Sequence, residues 1–235
     1  MALIAKEGSS FEPAPEGVFP ARCIWVVDLG TQVSDGMYGH QERHQIYVNW
    51  ELVDETTASG QPMTIGAFFT LSLNPKGNLR ATLESWRGRA FTADELRGFD
   101  ISRLIDAPCL ISVKHQPKAD GSGLRAQVSG VMAAMKGQVI APAKDNRYLV
   151  DLDASDAEKQ VDALPDWLKQ KIQTTKEWGR IMGFDQTPAP PAAPAPVRPV
   201  NNIYAAVKSG ATPPVAAGAV LDDPIPFNRL GDFQH

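Results

Sequence analysis

Residues 61–92 read QPMTIGAFFTLSLNPKGNLRATLESWRGRAFT, and a change of period inside this stretch decides the fold class. Met63, Ile65, Ala67, Phe69 and Leu71 alternate with Thr64, Gly66, Phe68, Thr70 and Ser72. A period of two, rich in Thr and Phe, is the pattern of a strand with one buried face. Asn74-Pro75 interrupts it. Leu79, Leu83 and Trp86 then fall on one face of a helix, with Arg80, Arg87 and Arg89 off that face and Gly88 at its end. A strand that leads into a short amphipathic helix has the shape of a plug for the open end of a small barrel.

Working outward, four more strands are expected. Residues 17–30 alternate, with Ala21, Cys23, Trp25, Val27 and Leu29 opposite Arg22, Ile24, Val26 and Asp28. Both sets are partly apolar, as in a strand covered on two faces. Residues 31–40, TQVSDGMYGH, carry turn residues and read as a flexible connection. In residues 44–53, Ile46, Val48, Trp50 and Leu52 should face the core, and Gln45, Tyr47, Asn49 and Glu51 should face out. Beyond the helix, Thr92 to Glu95 has the form of a capping box. A fourth strand covers residues 107–115. A fifth covers 124–135, with a bulge expected at Gly130. Five strands with a helix between the third and fourth are the arrangement of an OB-fold barrel, so the expected class is mainly β. A generic α+β barrel or sandwich is the alternative.

The expected domain spans residues 1–137. Residues 138–185 read as a polar connector and an amphipathic helix over 166–182, in which Trp167, Leu168, Ile172, Trp178 and Ile181 form an apolar stripe. This helix should pack back on the barrel or on a neighbouring copy. Residues 186–220 are rich in Pro and Ala, cannot supply a core, and are expected to form a disordered linker. Residues 221–235 form an acidic tail. Because the apolar runs are short, no membrane span is expected, and MALIAKEGSS lacks the pattern of a signal peptide. Cys23 and Cys109 are expected to be buried free thiols.

The formal charge is −4 over 235 residues. Residues 1–137 carry 13 Lys and Arg against 15 Asp and Glu, so any anion-binding surface must be a local patch. Lys76, Arg80, Arg87 and Arg89 are one such cluster, whose plain reading is a solvated helix face. His40 and His44 have a spacing that places two ligands together only in a helix, and the stretch reads as loop and strand. No phosphate loop, nucleophile elbow or cysteine–histidine pair is evident. No catalytic residue, metal or cofactor is therefore expected.

Two resemblances point to function. LDDPIPF, residues 221–227, is similar to the acidic tip of bacterial single-stranded DNA-binding proteins, two or three aspartates followed by Ile-Pro-Phe. TLSLNPKGNLRATLESWRGRAFT, GFD and PCLISV resemble a family of bacteriophage OB-fold single-stranded DNA-binding proteins over residues 17–137. The resemblance implies sequence-independent binding of single-stranded DNA in phage replication or recombination, in the cytoplasm of a bacterial host. The tail would then recruit replication or repair proteins through Asp222, Asp223, Ile225, Pro226 and Phe227. One departure is that eight residues follow Phe227, which removes the terminal carboxylate of the bacterial tip.

OB-folds place the binding surface on strands 2 and 3 and the flanking loops. The candidates are accordingly Tyr38, Arg43, Tyr47, Asn49, Phe68, Lys114, Lys118 and Arg125. Tyr47 and Phe68 would stack on bases, and Lys114 and Arg125 would meet phosphates. Phe68 has a second reading, cover by the C-terminal helix. The rival functions are a strand-annealing recombination protein and a protein-interaction or structural module that never touches nucleic acid. Self-association is left open.

Overall fold

A computed structural model describes residues 12–184 apart from 37–38, 119–120 and 122. The described chain is mainly β, with one six-stranded sheet and four short helices. The strands are β1 Gly17–Gly36, β2 Gly39–Thr56, β3 Pro62–Thr70, β4 Pro108–Pro117, β5 Leu124–Met132 and β6 Tyr148–Val150. Hydrogen bonding runs β3-β2-β1-β4-β5, all antiparallel, and β6 adds to β1 in parallel. Among the described residues no ladder joins β3 to β5, so the expected barrel closure is not made by hydrogen bonds. Helix α1, Asn78–Arg87, packs against both of these end strands. No helix among the described residues is long and apolar enough to cross a membrane.

The pleat of β2 and β3 follows the sequence pattern. Ile46, Val48, Trp50, Leu52, Met63, Ile65 and Phe69 fill the first core, with Leu79, Leu83 and Trp86 of α1. Gly88 ends α1 in the left-handed region at φ 69°. Thr92 and Glu95 exchange the expected capping bonds, Thr92 N–H to Glu95 Oε2 at 2.9 Å and Glu95 N–H to Thr92 Oγ1 at 3.3 Å. Cys23 and Cys109 are buried free thiols, and burial pushes both thiols up, so neither is a thiolate.

Four differences from the sequence reading have physical causes. First, residues 31–36 and 39–44 are not a loose connection but paired arms of a long hairpin, in register from Thr31 with His44 to Gly36 with Gly39. Second, the alternation of β1 breaks at a bulge between Cys23 and Trp25. An extra residue reverses which side chains face which side. Ala21 and Cys23 therefore join the first core, whereas Val27 and Leu29 join a second. Trp25 packs on that second side, edge-on to Tyr148. Third, the bulge expected at Gly130 falls at Ser129, whose Oγ bonds Ser112 Oγ at 2.8 Å. Fourth, Arg87 is buried rather than exposed. It pairs with Glu95 and lies 4.7 Å from the Phe91 ring centroid. Arg89 and Arg87 together hold the Glu95 carboxyl well below its usual range.

The helical segment after residue 137 packs back on the sheet, and residues 148–150 of the expected connector also join the sheet as a strand. The segment contains β6, α2 Ala157–Asp162, α3 Asp166–Gln173 and α4 Lys176–Ile181. The helix expected over 166–182 is thus two. Thr175, in extended conformation, separates the two, accepts from the N–H of Trp178 and caps α4. These elements lie on the outer faces of β1 and β2. There Val27, Leu29, Tyr47, Val150, Leu152, Val161, Leu164, Leu168, Ile172 and Trp178 form the second core. Polar ties fix its edges. Glu51, 1% exposed, accepts from the N–H groups of Lys144 and Asp145 at 2.7–3.0 Å. Glu177 accepts from Thr31 N–H at 2.9 Å and from Thr31 Oγ1 at 2.6 Å.

Leu168 is fully buried in this second core. Leu168→Ala is expected to cost about 2–5 kcal/mol through lost transfer energy and the cavity left behind. Urea unfolding followed by circular dichroism checks it, and a loss below about 1 kcal/mol would contradict the packing described. His44 Nε2 lies 2.6 Å from Asp28 Oδ1. That hydrogen bond raises the His44 pKa above 6.5, against burial, with Glu177 and Asp153 adding to it. A raised folded pKa gives stability that is complete below the unfolded value and is lost as pH rises through the folded one. Glu177 gains or loses no proton of its own over that range. Burial alone would raise its carboxyl, but the Thr31 hydrogen bonds outweigh burial and lower it. The thermal midpoint is therefore expected to fall from pH 6 to 8, and to fall less in Asp28→Asn.

Candidate functional site

The alternation of β3 sends Phe69 inward and leaves Phe68 outward, 48% exposed, although it is a large aromatic side chain. Two grooves meet at it. One, of about 520 Å3, runs between the end strands β3 and β5 over the start of α1. Phe68, Asn78, Thr82, Arg125, Gln127 and Ser129 are among its walls. The other, of about 220 Å3, is lined by Arg43, Gln45, Phe68, Thr70, Lys76 and Asn78 among others. Phe68, Phe69 and Asn78 belong to both, so the two are neighbouring parts of one surface.

The charge on this surface is of one sign. Arg43, Lys76 and Arg125 line it, and among the described residues no Asp or Glu does. Among the described residues none of these three makes an ion pair, nor does Lys171. On a chain of charge −4, unneutralised cations around an exposed aromatic ring form a local anion-attracting patch.

Of the sequence-derived candidates, the fold brings Arg43, Phe68 and Arg125 together here. Tyr47 and Asn49 are corrected. They were expected to face outward, but they are 9% and 4% exposed, Tyr47 because it packs in the second core against α3. The Tyr47 ring centroid is 5.0 Å from that of Phe68 and 5.2 Å from that of Trp167 on α3. Its hydroxyl lies 3.4 Å from Asn49 Oδ1, and burial pushes its pKa up to about 12. Gly66 makes this packing fit, since a Cβ there would lie 2.0 Å from the Tyr47 hydroxyl. Lys114 and Lys118 are exposed but stand off the groove walls. Lys114 pairs with Gln127 on the neighbouring strand, and Lys118 lies past the end of β4. Tyr38 and the tail residues Asp222, Asp223, Ile225, Pro226 and Phe227 lie outside the described residues.

The basic cluster of residues 76–89 is divided. Arg80 pairs with Glu84 at 2.9 Å, and Arg87 and Arg89 both pair with Glu95, which leaves Lys76 for the groove. The sequence reading did not single out Lys171, whose Nζ lies 5.3 Å from the centroid of Phe68. A signal for it exists. Leu168 and Ile172 are spaced i, i+4 on the buried face of α3, so Trp167 and Lys171, with the same spacing, share the adjacent face. Among the described residues no three His, Cys, Asp or Glu side chains are grouped to hold a metal ion. The arrangement can hold an extended anion by charge and a flat ring by contact. Comparison of the chain with protein-family models and with curated proteins gave no match.

Proposed function

We propose that the chain is a non-enzymatic single-stranded DNA-binding protein built on an OB-fold barrel that is open between its third and fifth strands. The sheet order and the position of α1 after the third strand support the fold reading. The observation that carries the functional reading is the half-exposed Phe68 between two grooves lined by Arg43, Lys76 and Arg125 and, among the described residues, by no carboxylate. A single strand offers unpaired bases and a line of phosphates, which such a surface meets with a ring and with cations. Base stacking on Phe68 is worth about 1–3 kcal/mol, and each phosphate contact contributes about 0.7 to the salt slope. Burial of Tyr47 and Asn49 favours the rival reading, a protein-interaction module.

Titration of labelled oligo(dT) at two salt concentrations, beside duplex of the same length, separates the two readings. The parent is expected to prefer the single strand. Phe68→Ala should weaken binding by about 1–3 kcal/mol with the salt slope kept. Arg43→Ala, Lys76→Ala and Arg125→Ala should each lower the slope by about 0.7. A parent that ignores oligo(dT), or groove variants that bind as it does, would overturn the proposal.

The tail belongs to the same proposal. Two aspartates before Ile225, Pro226 and Phe227 offer charge for a basic rim and two apolar side chains for a pocket. The Pro/Ala stretch before them would tether the motif while the barrel holds DNA. Deleting residues 220–235 should leave oligo(dT) affinity equal or higher and abolish pull-down of bacterial replication and repair proteins. Retained pull-down would remove recruitment from the reading.

A further inference from the structure

On the single-strand reading above, we infer that the base-stacking site is composite, with Trp167 and Lys171 of α3 completing it beside Phe68 of β3. Five tryptophans are present. Trp50, Trp86 and Trp178 are buried and Trp25 is partly covered, whereas Trp167 is 44% exposed. The fold does not need its indole to anchor α3, because Leu168 and Ile172 of the same helix are fully buried in the second core. The indole instead lies against the site. Its centroid is 6.3 Å from that of Phe68, with the rings at 79°, and neither ring covers the other. Two large aromatic side chains thus stand side by side on the surface, each about half open to solvent.

Lys171 gives the pair its ligand class. Its ammonium lies over the Phe68 ring, 5.3 Å from the centroid, and makes no ion pair among the described residues. An exposed cation–π contact is worth about 2- to 5-fold in an equilibrium. A base stacked on an aromatic face is worth about 5- to 150-fold. An incoming base therefore wins the ring, and the displaced ammonium is left beside the phosphate of the same strand. The one carboxylate next to Trp167 in sequence, Asp166, lies 3.8 Å from Lys169. The ligand so defined is an unpaired nucleobase with its phosphate. A duplex, whose bases are already stacked, cannot present it.

Tryptophan fluorescence of the full chain reads this directly. Saturating oligo(dT) is expected to quench the emission, and Trp167→Phe should remove most of the quench. Trp167→Ala should weaken oligo(dT) binding about 5- to 150-fold. Lys171→Ala should lower the salt slope by about 0.7, with Lys171→Arg restoring it. Thermal midpoints of all variants verify that α3 remains in place, and Trp167→Phe keeps a ring against Tyr47. If the parent binds oligo(dT) but Trp167→Phe retains the quench and Trp167→Ala binds as the parent does, the composite site is wrong while the groove stands. If the parent does not bind oligo(dT), both fall.

Discussion

The outer face of β1 and β2 carries Val27, Leu29 and Tyr47, and such a face is not stable against water. What covers it governs the rest of the molecule. The cover comes from 120 residues further along the chain, where β6 pairs with β1 and α3 seals Tyr47. Fully burying a Leu or Val side chain contributes about 1.5–3 kcal/mol, and the two strands supply several such residues to each of two cores. A buried carboxylate on the same face is also satisfied from the cover. Glu51, which would be costly to bury alone, receives the Lys144 and Asp145 N–H groups.

That cover also determines where a ligand can reach the sheet. On β2 the ring of Tyr47 is closed over by Trp167 of α3. The surface that stays open is displaced toward the rim, where Phe68 borders the gap between β3 and β5. The lack of hydrogen bonding across that gap creates the groove. An extra strand pairing there would fill the space that Arg125 and Phe68 now border.

Much of this was readable from the residues, and the failures have definite causes. The alternation of residues 44–53 and 63–71 named most of the first core, although Leu71, just past the end of β3, is exposed, and the Leu79, Leu83 and Trp86 spacing named the buried face of α1. Arg43, Phe68 and Arg125 were placed by phase and loop position. Tyr47 and Asn49 were misread because period two distinguishes two faces of a strand but not whether the second face is covered. Trp25 was misplaced because a bulge shifts phase without a signature in the local pattern. Arg87 looked exposed because its partners, Glu95 and Phe91, lie beyond the helix that carries it. Lys171 escaped notice because its relation to Phe68 exists only once α3 docks.

The late position of the cover in the chain also bears on synthesis. Leu29 leaves the ribosome long before Trp178, which packs in the same core. At 5–20 residues per second the interval is on the order of ten seconds. Within it β1 and β2 can pair with each other and, once Val131 has emerged, complete the first core, while their other face stays bare. A nascent chain in that state presents an apolar sheet surface to its neighbours, so chaperone occupancy during translation should be concentrated on the interval before α3 emerges.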